Sequence, residues 1–314
     1  MKKKFLKLAA LSCVTLLMFA GCSSSKSNED KTAETVTVTD VKGEVEIPAN
    51  PKRIVDLSGN SDLIEELGGN VVGTANTDAY NNNEIQSFIA DKLSDAEVLG
   101  YSMQAEMDVE KIMNLNPDLI IISTYQEKMY DTLSEIAPTV MVQLDALDWK
   151  QDVLTFGKIL NKESEAQEWL SNYEEKATAE GDKIKEEFGA NTTYLSILAS
   201  GGQIYVYDNA GLGSILYNDM GLAKPEGMPA QSDISLPVVT YEGLAAIKAD
   251  YIFVMGTDDD LAQLESNPIW NSIPAVQQGH VVVLPATPYF SKCYTIVGRE
   301  LLLGEIGEKL NATK

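Results

Sequence analysis

Lys162-Glu-Ser-Glu-Ala-Gln-Glu-Trp-Leu-Ser-Asn-Tyr-Glu-Glu-Lys-Ala-Thr-Ala-Glu-Gly-Asp-Lys-Ile-Lys-Glu-Glu-Phe188 is the stretch on which the architecture turns. Apolar or small residues recur at Ala166, Leu170, Tyr173, Ala177, Gly181, Ile184 and Phe188, always three or four positions apart. That spacing defines one face of an α-helix. Asn161 stands where it could cap the start and Gly189 where it could cap the end. At about 1.5 Å per residue the helix would run roughly 40 Å, more than the width of a small lobe. It is expected to span two lobes; a long surface helix on one domain is the alternative.

Segments on either side favour two lobes. Glu110-Lys-Ile-Met-Asn-Leu-Asn-Pro-Asp118-Leu-Ile-Ile-Ile122 and Glu242-Gly-Leu-Ala-Ala-Ile-Lys-Ala-Asp250-Tyr-Ile-Phe-Val254 align in register. Each reads as a glutamate, a short helix of apolar period, an aspartate and a buried strand, and one lies on each side of the long helix. Chance likeness between two common βα units is the competing reading. The Val- and Ile-rich runs Arg53 to Leu57, Asp118 to Ser123, Thr139 to Leu144, Asp250 to Met255 and His280 to Leu284 suit strands buried on both faces. Helices are expected from Ser61 to Leu67, before Gly68-Gly69, and from Asp108 to Leu115, before Pro117. Thr193 to Ser200 and Gln203 to Asp208, joined by Gly201-Gly202, read as a hairpin. Alternating strands and helices imply parallel sheets with ligands beyond the carboxyl ends of the strands, and facing halves imply a cleft between them.

Composition removes whole classes of function. The 314 residues carry 24 Lys plus Arg against 47 Asp plus Glu, a formal charge of −23, which repels phosphate backbones and argues against nucleic acid. One histidine cannot build a His-rich zinc site, and His280 is the sole candidate base for a Ser or Cys nucleophile. It precedes a strand, at the end where α/β sheets seldom bind ligands, and reads as structural. Asp258-Asp-Asp260 lacks the alternating spacing of a calcium loop and reads as a solvated turn.

The N-terminus indicates a compartment. Lys2, Lys3, Lys4 and Lys7 form a basic region, and Leu8 to Phe19 is an apolar run too short for a transmembrane span. Phe19-Ala20-Gly21-Cys22 follows, then Ser23-Ser-Ser-Lys-Ser-Asn-Glu-Asp-Lys31, a polar tether. The segment resembles a bacterial lipoprotein signal with Cys22 lipidated, although Phe19 stands where an aliphatic residue is usual. Cleavage before Cys22 removes four lysines and leaves 20 basic against 47 acidic residues, about −27. Cys13 leaves with the signal, so Cys293 has no disulfide partner within the chain.

Thr37-Val-Thr-Asp-Val-Lys-Gly-Glu-Val-Glu-Ile-Pro48, Asn50-Pro-Lys-Arg-Ile-Val55, Leu67-Gly68, Asn116-Pro-Asp-Leu-Ile-Ile-Ile122 and Trp270-Asn-Ser-Ile-Pro-Ala-Val-Gln-Gln-Gly-His-Val281 occur in that order. Together they resemble the class III substrate-binding lipoproteins of ABC importers, over roughly residues 36 to 310. The resemblance implies two Rossmann-like α/β lobes joined by a single rigid long helix, with modest closure on ligand. It divides the chain into a signal peptide over 1–22, a tether over 23–35, an N-terminal lobe over 36–147, a helical linker over 148–189 and a C-terminal lobe over 190–314. It also implies a non-enzymatic, monomeric receptor on the extracytoplasmic face of the cell membrane. Such a receptor delivers a small iron chelate to an ABC permease dimer with its cytoplasmic ATPase, and requires no cofactor.

Within the family, Tyr205-Val-Tyr-Asp-Asn-Ala-Gly-Leu-Gly-Ser-Ile-Leu-Tyr217 and Met220-Gly-Leu222 are most like the hydroxamate-siderophore binders of Gram-positive bacteria. Those place a Trp and an Arg where this chain has Ala210 and Leu212. The chain's arginines are Arg53, before the first strand, and Arg299, on the C-terminal helix. Lack of the matching arginine weighs against a hydroxamate, and more heavily against a highly anionic catecholate, which needs several cations. Strand-end positions offer Ser58, Asn60, Asn76, Tyr101, Met103, Ser123, Tyr125, Ser200, Tyr207, Met255, Tyr289, Phe290 and Tyr294 as ligand contacts. The preferred ones are Tyr125, Tyr207 and Tyr289. Haem or a corrinoid is the alternative ligand: Met103 and Met255 lie near positions where haem-binding members carry axial ligands, with plain packing as the other reading of each. Cys293 is either a soft ligand or packed. Glu110 and Glu242 match the acids that dock family members onto permease arginines; complementing a helix dipole is the alternative for each alone. An enzyme would show a nucleophile with a base or a dense metal-ligand cluster, and neither is visible.

Overall fold

The five apolar runs form strands within a residue or two of their expected limits, in a computed structural model that describes residues 34–144 and 147–314. The signal peptide, Cys22 and the tether up to residue 33 lie outside the described residues. Thr35, read as the end of the tether, already pairs with Pro48 in the first hairpin.

In the N-terminal lobe the order is β1 (Thr35–Thr39), β2 (Glu44–Pro48), β3 (Ile54–Asp56), α1 (Ser61–Glu66), β4 (Val71–Thr74), β5 (Thr77–Asp78), β6 (Asn81–Ile85) and β7 (Glu97–Val98). It continues with α2 (Val109–Asn114), β8 (Leu119–Ser123), α3 (Tyr130–Ser134) and β9 (Thr139–Val142). Strands β7-β4-β3-β8-β9 make a sheet parallel throughout. Helices α4 (Trp149–Ile159) and α5 (Glu163–Phe188) then lead to the second lobe. There follow β10 (Tyr194–Ser200), β11 (Gln203–Val206), α6 (Gly211–Gly213), a wide π turn at Ser214–Asp219, β12 (Val238–Val239), α7 (Tyr241–Ala246), β13 (Tyr251–Gly256) and α8 (Asp258–Glu265). The chain closes with α9 (Pro274–Gln277), β14 (Val281–Pro285), α10 (Ala286–Lys292) and α11 (Ile296–Asn311). The second sheet runs β12-β11-β10-β13-β14, with β10, β13 and β14 parallel. Strands β10 and β11 are the expected hairpin, with Gly201 and Gly202 at φ of 56° and 77°, values a two-residue turn requires and glycine adopts without strain.

The two matched units owe their aspartates to the same contact. Asp118 accepts from the backbone of Lys52 and Arg53, and Asp250 from the backbone and hydroxyl of Thr193. In each lobe the carboxylate before one strand pins the start of its parallel neighbour. Glu110 and Glu242 occupy the same position, second in helices capped by Asp108 and Thr240, and both are exposed.

Helix α5 buries Ala166, Leu170, Tyr173, Ala177, Gly181 and Ile184, the stripe read from the sequence. Ala166 and Leu170 belong to the N-terminal core, while Tyr173, Ala177 and Ile184 belong to the C-terminal core, so one rigid rod is built into both. Asn161 does not cap this helix. It takes a φ of 56° and ends α4: its N–H bonds Lys158 O, and Lys162 N–H bonds Gly157 O, the two-bond pattern of a left-handed helix stop. Asparagine suits that role because it tolerates the left-handed region. Helix α11 is shared as well, with Ile296 and Val297 on the N-terminal core and Leu302, Leu303, Ile306 and Leu310 in the other.

Gly181 is fixed by contact, since a Cβ there would lie 1.9 Å from the carbonyl oxygen of Met220. On Gly304 of α11 a Cβ would meet nothing within 4 Å. Alanine is the better helix former by about 0.5–1 kcal/mol. Gly304→Ala should therefore raise the melting temperature, and Gly181→Ala should lower it despite the same propensity gain; thermal unfolding followed by circular dichroism checks both signs.

Candidate ligand-binding site

All five strands of the N-lobe parallel sheet end on one cavity. Ser58 and Asn60 follow β3, Asn76 and Thr77 follow β4, Tyr101 to Met103 follow β7, Thr124 and Tyr125 follow β8, and Gln143 and Leu144 follow β9. The opposite wall comes from residues 232–234 and Leu236, from Phe290, Ser291, Tyr294 and Thr295 around the end of α10, and from Arg299 of α11. Trp149 and Asp152 of α4 close one side. The cavity has a volume of about 860 Å³, and a bay of about 380 Å³ adjoins it, lined by Tyr80, Leu198, Ser200 and Tyr205 and sharing Tyr101 and Phe290. Placement at strand carboxyl ends between two α/β lobes is where such folds bind ligands.

Buried carboxylates hold the N-lobe wall in shape. Asp56 accepts from Ser58 N–H at 2.9 Å, Ser58 Oγ at 2.6 Å, Asn60 N–H at 2.9 Å and Ser61 Oγ at 2.6 Å, which locks the loop carrying Ser58 and Asn60. Burial raises its carboxyl above the usual range, and those hydrogen bonds offset part of the rise. Asp62 accepts from Asn76 Nδ2 at 3.0 Å and, from the first turn of α11, the backbone N–H of Val297 at 3.2 Å. Asn76 Oδ1 in turn accepts from Gln86 Nε2 at 2.8 Å. Burial pushes Asp62 up to about 6.

The lobes also meet at the cleft edge. Thr287 Oγ1 donates to Asp78 at 3.1 Å, and the rings of Tyr80 and Phe290 meet edge-on at 5.8 Å. Burial raises the phenols of Tyr80 and Tyr101, with the charges of Asp260 and Asp78 adding to it, so both stay neutral hydroxyls.

Of the contacts expected from sequence, Ser58, Asn60, Asn76, Tyr101, Met103, Tyr125, Phe290 and Tyr294 line the main cavity and Ser200 lines the bay. Ser123 lines the main cavity too. Tyr207, Met255 and Tyr289 line neither. Tyr207 and Met255 are fully buried in the C-lobe core, where the phenol lies 3.9 Å from the thioether sulfur. Both pack inside that core, the Tyr207 ring against Gly211 of α6. Tyr289 faces away, its ring covered by the ammonium groups of Lys292 and Lys309. Cys293 is buried in the same core and its thiol is pushed up to about 12, so it packs. His280 stacks on Tyr251 at 4.4 Å, away from the cleft, and the three aspartates from Asp258 form the first turn of α8. Among the described residues no group of three or more His, Cys, Asp or Glu could hold a metal ion.

Arg299 is the largest departure from expectation. Its guanidinium lines the cavity yet is 3% exposed, bonded to Asp219 at 2.7 Å, Ser214 at 2.5 Å and the carbonyl of Cys293 at 2.9 Å, and it lies 4.3 Å over the ring of Trp149. A signal was present. Arg299 falls on the apolar stripe Ile296, Leu303, Ile306, Leu310, and a charge there must find a buried partner. The partner, on a turn 80 residues away, had no local mark.

With this geometry in hand, comparison places the chain in a family. A profile of the periplasmic binding protein family matches residues 57–288. The iron(3+)-hydroxamate-binding protein FhuD of Bacillus subtilis is 35% identical over 294 residues, 88% of each chain. The iron(3+)-hydroxamate-binding protein YxeB of the same organism is 31% identical, over 90% of this chain and 89% of its own. Unliganded FhuD2 from Staphylococcus aureus superposes with a TM-score of 0.75 at 26% identity, covering 90% of this chain and all of that one. The chain belongs to the periplasmic binding protein family, and its fold is two α/β lobes joined by one long helix.

The raised Asp62 gives a pH test. Unfolded, the carboxyl titrates near 3.8; folded, near 6. Between these values only the unfolded chain is ionised, so stability from this group is complete below about pH 4 and lost as pH rises towards 6. Relative to Asp62→Asn, which cannot ionise, the wild-type melting temperature should fall across that window. Parallel curves for the two proteins would contradict the assignment.

Proposed function

We propose that this chain is a lipid-anchored, extracytoplasmic receptor that captures a ferric siderophore of the hydroxamate class and delivers it to an ABC permease dimer, without catalysis of its own. One observation carries the reading: in a chain 35% identical to an iron(3+)-hydroxamate-binding protein, both lobes wall a cavity of about 860 Å³ with hydroxyls, amides and aromatic rings. A ferric trihydroxamate is a compact chelate with an apolar outer surface and carbonyl and N–O oxygens at its edges. Rings cover the former, and Ser, Thr, Asn and Tyr donors reach the latter.

Trp149 on the cavity wall supplies a reporter. Its fluorescence should be quenched on titration with a ferric trihydroxamate. Tyr101 and Phe290, on opposite lobes and shared by the cavity and its bay, are the contacts of choice. Tyr101→Ala with Phe290→Ala should weaken binding at least tenfold, about 1.4 kcal/mol. Unchanged affinity in a variant with native circular dichroism would remove these rings from the site.

Glu110 and Glu242 are proposed to dock onto basic pockets of the two permease subunits. Two exposed carboxylates at equivalent helix positions, one per lobe, can read the separation of two symmetric sites. The double change to alanine should leave ligand affinity intact and abolish uptake into cells; normal uptake would assign both residues to helix-dipole stabilisation instead. Lipidation of Cys22 is proposed from the sequence, and Cys22→Ala should leave an unacylated precursor.

A further inference from the structure

The bay beside the main cavity differs from it in chemistry. Ala79, Tyr101, Leu236 and Phe290 line both spaces, so the bay of about 380 Å³ and the cavity of about 860 Å³ open into each other along that stretch of wall. Tyr80, Leu198, Ser200 and Tyr205 line the bay alone. Among the described residues, none that lines the bay is charged.

Strand pairing builds its C-lobe wall. Leu198 and Tyr205 stand directly opposite each other on β10 and β11, and Ser200 follows Leu198 by two, so all three share one face of the sheet. Further back on that face Tyr194 belongs to the C-lobe core; at the carboxyl end of β10 the same face becomes the wall of the bay. Tyr80 comes from the turn between β5 and β6, and that turn is fastened. Its N–H donates to Asp78 at 2.8 Å, while Thr287 Oγ1 donates to Asp78 at 3.1 Å and Ala79 N–H to Ser291 Oγ at 3.4 Å, tying the turn to the other lobe. The bay therefore has its shape before any ligand arrives, and filling it requires little ordering.

Its polar groups are neutral hydroxyls, two of which already have partners. Tyr205 donates to Gln203 Oε1 at 2.5 Å, and the Tyr101 hydroxyl lies 3.6 Å from Met103 Sδ. The remaining surface is ring and aliphatic carbon, including the ring of Tyr80, which is 42% exposed. Water is held weakly against such a surface, and an apolar group that displaces it gains affinity.

We propose that the bay is a subsite for a neutral apolar arm carried by the ferric hydroxamate, with the chelate itself in the main cavity, so that the receptor prefers complexes bearing an acyl arm over those without one. The proposal rests on the hydroxamate reading above and adds a specificity to it.

The test uses one ferric trihydroxamate with a side-arm amine, acylated there with acetyl, butyryl or hexanoyl, so that charge and chelate stay constant. The three are titrated by tryptophan quenching into the full-length protein in detergent, with partition into detergent measured in protein-free blanks and subtracted. A fully buried CH₂ is worth about fourfold in affinity, so the four that separate hexanoyl from acetyl should tighten binding at least about tenfold even if only partly covered, with butyryl between. Ser200→Phe, which fills the bay, should reduce the hexanoyl-to-acetyl ratio to about threefold or less. Tyr80→Ala, at an exposed position where folding is insensitive, should lower the same ratio at least about threefold by uncovering the arm, and it decides the matter if Ser200→Phe lacks native circular dichroism. Equal affinities for the three complexes in the wild type would overturn the subsite and leave the hydroxamate reading intact. A ratio unchanged in both variants, each with native circular dichroism, would place the arm elsewhere and overturn the proposal. Binding of none of the three would overturn the hydroxamate reading and this proposal with it.

Discussion

Arg299 and Asp219 meet at 2.7 Å with almost no solvent around either, and four elements converge on that contact. Arg299 comes from the first turns of α11 and Asp219 from the π turn, where Ser214 adds a second acceptor. Tyr173 of α5 donates to the same carboxylate oxygen at 2.9 Å, and Trp149 of α4 covers the guanidinium. Trp149, Trp169 and Tyr173 pack ring against ring beside it. Two charges buried this deeply are tolerated only because each is bonded several times over; removing one partner of such a pair costs about 3–5 kcal/mol. The contact is thus a register pin that sets the rotation of α5 against α11 and the π turn, and hence the distance between the lobes.

The cleft follows from that pin. Helix α5 is embedded in both cores, and α11 begins against one lobe and ends in the other, so the lobes cannot swing without repacking close-packed side chains. A preformed cavity of this kind binds by shape and by aligned hydroxyls and amides, with little ordering to be done on capture. Its electrostatics obey the same geometry. The pin consumes the one cationic side chain found on the wall among the described residues, and the carboxylates Asp56 and Asp62 beneath the opposite wall are occupied in holding loops. A wall of hydroxyls, amides and aromatic rings is what the framework leaves for the ligand.

Much of this was legible in the sequence, because the relevant forces are local and periodic. The α5 stripe, the five buried strands, the Gly201-Gly202 hairpin and the paired aspartates each announce themselves within a dozen or so residues. Strand-end positions gave most of the N-lobe wall, since every strand of a parallel sheet delivers its loop to the same side. The C-lobe wall was harder. Tyr207 and Tyr289 have the right chemistry, but which way a ring points after a strand depends on α6 and α10 packing over it. Arg299 was placed on the C-terminal helix but given no part in the cleft, because its partner is distant in sequence. Asn161 illustrates a smaller failure: a residue able to cap the next helix was needed to stop the previous one.

The claim that a pinned, two-core helix fixes the lobes is tested most directly by a distance between them. Nitroxide labels at Ser94→Cys in one lobe and Lys248→Cys in the other, with Cys293 buried and its thiol pushed up to about 12, report that distance by double electron–electron resonance. Adding a ferric trihydroxamate should move the mean by less than about 3 Å and leave one narrow distribution, as expected of small closure about packed helices. A shift beyond roughly 8 Å, or a broad distribution that sharpens only on binding, would mean a true hinge and contradict the account.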